Sequence, residues 1–379
     1  MLPVRLLLIA LSLVLAAAAC LLFVIQSEDI RNEPGAAASP AALLRLHEAL
    51  GRDLGSPDRW CDLAEALAQS QQTAKARYCF RRAVELGPNI PPILMRAANS
   101  HFAAGEPLLA LPYTARIMEL VSEYDAIIFS YYDRLVPNVK DILPHIKANR
   151  RALASYFRHL ISVGRGEAAD IAWTWLAGQS FADDRLAGEY VDFLVRRRQH
   201  QRAAQAWAGH LGGRAGGYPK STLLFNGGFE SEPTGAAFDW RVTPLQGVDV
   251  ERVASAREGR SALRISFAGT ANVPYSHVSQ SAWIGPGRYR LRGFVRTEDI
   301  TTDQGILLCL FDAESAARLS VETAQLKGAN AWTPLETAFT VPADTSLVIV
   351  QVCRRPSRKF DNKIRGTAWI DSVSLEPLQ

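Results

Sequence analysis

The residues whose chemistry can be read first are the cysteines. Five occur: Cys20, Cys61, Cys79, Cys309 and Cys353. Cys61 and Cys79 are equidistant from a turn near Ser70, so an antiparallel helical hairpin would set both thiols at one height, as a disulfide requires. Cys309 and Cys353 fall in the second half of the chain, and an even number in each half suits intradomain disulfides in an oxidising compartment. The alternative is four small buried hydrophobes. Neither pair has metal-ligand spacing, and there is no Cys-x-x-Cys. The seven histidines are dispersed. Gly-x-Ser-x-Gly, His-Glu-x-x-His, Gly-x-x-x-x-Gly-Lys and the dinucleotide fingerprint are all missing, and no glycosidase carboxylate pair stands out among the scattered acids. The side chains therefore predict binding rather than catalysis.

Those residues must be positioned by a chain of 379 residues, 48% hydrophobic and 21% charged, which is long enough for more than one core and too apolar for disorder. The net charge is +4, and from Lys220 onward there are 18 basic and 17 acidic residues, so no basic domain points to nucleic acid. Residues 6–25 form an uncharged apolar run long enough to cross a membrane, preceded by Arg5. An anchor over 1–28 with the bulk of the chain outside the cytoplasm is expected. A cleaved leader is the alternative, since alanines precede Cys20, but the apolar run LLFVI continues past that cysteine. Residues 29–40, rich in Pro, Gly and Ala, read as a tether.

Over 41–211 the pattern is helical. Trp60, Leu63, Ala64 and Leu67 form one apolar stripe, and Ala76, Phe80 and Ala83 a second, closed by Pro88. These intervals resemble the tetratricopeptide repeat, with Ala64 where glycine is usual and Leu67 where an aromatic is usual. Ala97, Ala98, Phe102, Gly105 and Ala110 make a degenerate second copy, in which Thr114 replaces the aromatic. Small residues let paired helices approach, and such arrays offer a concave surface to a protein partner. Residues 212–220 carry four glycines and mark a linker. Over 221–379 the period switches to short alternating runs, the signature of an all-β antiparallel sandwich of about ten strands.

Within that half, LLFNGGFESEPTGAAFDW, GRSALRISF, PGRYRLRGFVRTE, WTPLETAFTVP and GTAWIDSVSLEP resemble the carbohydrate-binding modules of the galactose-binding-like jelly-roll superfamily, over residues 223–378. The resemblance implies a structural calcium ion on Glu230 and Asp371, with backbone oxygens of Asn226 and Gly227 available. It also implies glycan binding, for which Tyr275, Trp283 and Trp332 are candidate stacking platforms and Arg354 and Arg355 candidate contacts to an acidic sugar or phosphate, beside Arg358 and Lys359. Trp240 and Trp369 read instead as core anchors.

With its anchor and repeats, the whole chain resembles bacterial membrane-anchored tetratricopeptide proteins carrying such a C-terminal module, a kind associated with exopolysaccharide and cell-envelope systems. The resemblance implies an inner-membrane protein with its bulk in the periplasm, binding a protein through the repeats and a glycan through the sandwich. The alternatives are a protein-interaction scaffold without sugar affinity and a glycan-processing hydrolase.

Overall fold

A computed structural model describes residues 39–236 and 238–378. The apolar run 6–25 and nearly all of the tether lie outside the described residues, among which no helix is long and apolar enough to cross a membrane. The chain divides between Tyr156 and Phe157 into two compact units.

The first unit contains α1 (Pro40–Arg52), α2 (Pro57–Gln69), α3 (Thr73–Leu86), α4 (Pro91–Ala103), α5 (Pro107–Leu120), α6 (Asp125–Leu135), α7 (Val139–Ile146) and the start of α8 (Arg150–Ser162). Proline opens α1, α2, α4 and α5, where its missing N–H costs no hydrogen bond. The Ser39 and Ser56 hydroxyls accept from the amides of Ala42 and Arg59 at 3.2 and 3.4 Å and cap the first two helices. Ala64 on α2 and Ala83 on α3 are wholly enclosed, so the two helices pack closely around one cluster with Leu63, Leu67 and Phe80. Cys61 and Cys79 belong to that cluster, but both are free thiols, which corrects the disulfide expected between them. Thr114 on α5 is buried and keeps its hydroxyl satisfied by sharing a 2.7 Å hydrogen bond with the Tyr132 hydroxyl on α6.

The second unit holds the remainder of α8, then α9 (Gly166–Gly178), α10 (Asp184–Arg196), α11 (His200–Leu211) and a 3-10 turn at Gly212–Ala215. The β-sandwich follows. Its strands are β1 (Arg241–Val242), β2 (Val248–Val253), β3 (Ala262–Ala268), β4 (Tyr275–Trp283), β5 (Gly287–Ile300), β6 (Leu307–Asp312), β7 (Ser320–Glu322), β8 (Gly328–Val341), β9 (Leu347–Arg354) and β10 (Arg365–Pro377). They form two antiparallel five-stranded sheets, ordered β1-β4-β9-β6-β7 and β2-β3-β10-β5-β8. Alternate residues such as Leu291 and Val295 on β5 and Val348, Val350 and Val352 on β9 point into the shared core. Cys309 and Cys353 are free thiols too. Two contacts tie α11 to the sandwich: fully buried Trp207 meets Phe225 edge to face at 6.0 Å, and His200 Nδ1 lies 2.9 Å from the Ser346 hydroxyl. The all-α and all-β classes expected for the two halves of the chain are therefore present.

Candidate functional site

The opening motif of the sandwich is built on backbone geometry. Asn226 and Phe229 adopt left-handed φ of 53° and 54°, which turns the chain so that Phe229 and Trp240 pack at 5.1 Å in the core. Trp240 is buried, as a core anchor should be. The Gly227 carbonyl accepts from the Val373 amide at 2.8 Å, and a Cβ on Gly227 would overlap the Val373 carbonyl oxygen. The first segment is thereby pinned to the last strand.

Glu230 and Asp371 reinforce that junction. Asp371 is fully buried; its Oδ2 accepts from the amides of Arg257 and Glu258 at 2.7 and 3.0 Å, and its Oδ1 from the Ser372 amide at 2.6 Å. Glu230 Oε1 accepts from the amides of Arg260 and Ser261 at 2.8 and 3.0 Å, and those amides hold its carboxyl below the usual range. Calcium takes about six to eight oxygen ligands. At this junction N–H groups face the carboxylate oxygens, and among the described residues no three Asp, Glu, His or Cys side chains surround one point. The donor set does not fit a calcium cage. It forms an amide-to-carboxylate clasp that fastens the segment around Arg257 and Ser261 to both ends of the sandwich.

The five candidate sugar contacts do not converge. Tyr275 is a core residue, 2% exposed and edge to face with Phe267 at 5.5 Å, so it offers no ring face to solvent. Arg354 is likewise buried and serves the loops, donating to the Thr302 hydroxyl at 3.2 Å, to Asn272 Oδ1 at 3.3 Å and to the Val273 carbonyl; burial lowers its pKa. Both are corrected from ligand contacts to structural residues. Trp283 is half-buried on the outward side of the first sheet, where its register partner on β9 is Leu347. Arg355 is exposed and paired with Glu322 at 2.5 Å. It stands eight residues beyond Leu347, roughly 26 Å along an extended chain. Trp332 is half-buried on the outward face of the second sheet.

That second face brings together a set the sequence reading missed. Arg264 on β3, Trp369 on β10 and Arg296 on β5 are register partners in one row. The Arg296 guanidinium lies 3.8 Å over the Trp369 ring and 5.7 Å from the Trp332 ring on β8. In the neighbouring row, Phe294 is covered by Arg257 at 3.4 Å and Arg292 at 4.8 Å. Trp369 is 8% exposed because Arg296 covers it, so it is an outer-face residue and not the core anchor expected. The local signal was partial: Arg290, Arg292 and Arg296 alternate along one strand, but only the register with β10 reveals that indoles lie beneath. Arg257, Arg292 and Phe294 also border a groove of about 770 Å³ that runs to Gly227, Gly228 and Glu258 at the clasp. The half-buried Trp332 indole offers a face on which an apolar ring can stack, and the Arg296 guanidinium beside it offers donors to that ring's polar substituents.

No protein-family model matches the sequence, and a search of curated proteins finds no match. Among solved structures, similar folds include a family 61 carbohydrate-binding module in complex with β-1,4-galactotriose, at 20% identity, covering 41% of this chain and 99% of that one with a TM-score of 0.30. A family 16 carbohydrate-binding module is 18% identical, covering 40% of this chain and 98% of that one, TM-score 0.30. The CBM22-1 xylan-binding domain from Paenibacillus barcinonensis is 15% identical, covering 40% of this chain and 92% of that one, TM-score 0.27. The neighbours cover the C-terminal β part.

Proposed function

We propose that this chain is a non-enzymatic adaptor of the bacterial envelope. Residues 6–25 anchor it in the inner membrane with its bulk in the periplasm, its tetratricopeptide-like helices hold a protein partner, and its β-sandwich binds a glycan during exopolysaccharide or cell-envelope assembly. The observation that carries the glycan half is the layer of Trp332, Arg296 and Trp369 across three adjacent strands of the second sheet. A sugar ring has an apolar C–H face that packs on indole and hydroxyls that accept from a guanidinium. The helical half rests on the repeat spacing from Trp60 to Pro88 and the enclosed Ala64 and Ala83 that pack its first hairpin.

A glycan array probed with the full chain in detergent tests this. Binding to at least one polysaccharide class is expected, about tenfold weaker for Trp332→Ala, with the melting temperature unchanged. A uniformly blank array would favour a protein-interaction scaffold. Shortening of a bound polysaccharide on incubation would favour a hydrolase, and recovery of the protein from the cytoplasm would remove the envelope assignment.

A further inference from the structure

Three arginines on the outer face of the second sheet are matched by acids. Arg264 pairs with Glu251, Arg290 with Glu376 at 3.1 Å, and Arg292 with Glu336 at 3.5 Å. Arg296, on the same face, has no carboxylate within ion-pair distance among the described residues. It is half-buried, and its contacts are the two indole rings. A cation held in place, partly stripped of water and left without a counter-charge costs stability, and such costs concentrate where a ligand completes the arrangement.

The strand beside it is shaped to the same end. Val295 pairs with Thr333 and Thr297 with Asn330, so Ala331 and Trp332 together oppose Arg296 where regular pairing has one residue. The bulge sets the Trp332 ring beside the guanidinium. An open cavity of about 400 Å³ adjoins the guanidinium, lined by Arg296, Thr297, Glu298, Ala329, Asn330 and Ala331.

We propose that Arg296 is the recognition group for a carboxylate carried on a glycan, which makes the ligand class a uronic-acid-containing polysaccharide. This rests on the glycan-binding reading above. The planar fork of a guanidinium takes a carboxylate through two parallel N–H donors, and stacking between indoles holds that fork ready before the ligand arrives. Trp332 then lies where the ring bearing the carboxylate can pack its C–H face, a contact that an acidic peptide would leave unused. Glu298 borders the same cavity and accepts from sugar hydroxyls, which suits one carboxylate among hydroxyls better than a dense polyanion.

The test uses the full chain in detergent with polygalacturonate, its fully methyl-esterified form and poly-L-glutamate as probes. Polygalacturonate is expected to bind, the ester at least tenfold more weakly, and poly-L-glutamate at least tenfold more weakly. Arg296→Gln should lose at least tenfold for polygalacturonate and several-fold less than that for the ester, which keeps only its hydroxyl contacts, Arg296→Lys should recover part of the polygalacturonate loss, and Arg288→Gln should bind like the parent chain. Equal binding of ester and acid would overturn the proposal while leaving glycan binding intact, and needs no variant to fold. Full binding by Arg296→Gln would overturn it as well. Poly-L-glutamate binding as tightly as polygalacturonate would reassign Arg296 to an acidic peptide. Binding of neutral glycans alone would reject the uronate, and failure of every glycan would remove the underlying function.

Discussion

A buried carboxylate that accepts three hydrogen bonds from backbone amides can fasten a loop to a strand without a metal, and Asp371 on β10 does so for the segment at Arg257 and Glu258 between β2 and β3. Replacing it by asparagine keeps the shape but turns one acceptor atom into a donor that faces an amide. Asp371→Asn is expected to destabilise by about 3 kcal/mol, read as a melting temperature lower by about 6–12 °C for a unit of this size. Because amides and not a cation occupy the oxygens, excess chelator should leave the melting temperature of the parent chain unchanged; a rise on adding calcium, lost in Asp371→Asn, would refute the clasp. The thiols give a second check on single residues. Burial pushes Cys61 up to about 12 and raises Cys79 as well, so neither is a ready nucleophile at neutral pH. Both should resist iodoacetamide at pH 8 until the helices are denatured, and non-reduced mass spectrometry should find both thiols free; a linked peptide pair would restore the disulfide.

At the scale of elements, Asp184 joins the start of α10 to the 3-10 turn that leads into the sandwich. Its carboxylate accepts from Arg214 at 2.7 Å and meets His210 at 2.7 Å, and the Arg214 hydrogen bond, helped by that of His210 and by both charges, outweighs the desolvation that opposes it and lowers its pKa to about 2. With the folded value below the unfolded value of 3.8, this contribution is complete above about pH 4 and lost as pH falls toward 2. The side chain is about one-third exposed, so solvent screens the effect. Melting curves between pH 6 and 2 should show a steeper acid loss for the parent chain than for Asp184→Asn; parallel curves would remove the clip. The elements themselves were largely legible. Alternation along PGRYRLRGFVRTE and WTPLETAFTVP announced β5 and β8, because one face is buried and the other wet. At the entry to the sandwich Leu223 donates one backbone bond to Leu375 outside any strand, and three-residue β7 is so short an edge that no period marks it in the sequence. The site was less legible than the fold. Tyr275 and Arg354 looked like ligand groups by type and were claimed by the core and the loops, whereas the Arg296 and Trp369 pair depends on register between strands about seventy residues apart. No local pattern encodes that register.

At the scale of the whole molecule, the switch from helix to strand at residues 212–220 does not mark the edge of a compact unit, since α9–α11 belong with the sandwich. Trp207 on α11 is fully enclosed, and its edge-to-face partner Phe225 also meets Tyr218 at 6.3 Å, so the last helix and the opening strand region share one aromatic cluster. Arg241 beside β4 is held by Asp192 of α10 at 3.0 Å, which closes the contact at a second point. Cutting the chain at residue 221 would therefore expose Phe225 and delete a buried tryptophan, a loss of about 3–5 kcal/mol. Fragment 221–379 should melt roughly 10 °C below fragment 163–379, which keeps α9 to α11, and should aggregate sooner through the uncovered apolar patch. The two are compared by thermal denaturation followed by light scattering. Equal melting temperatures would show that the sandwich is self-sufficient and that the helices beside it are an appended array, whereas the expected gap makes them a structural part of the unit that holds the sandwich.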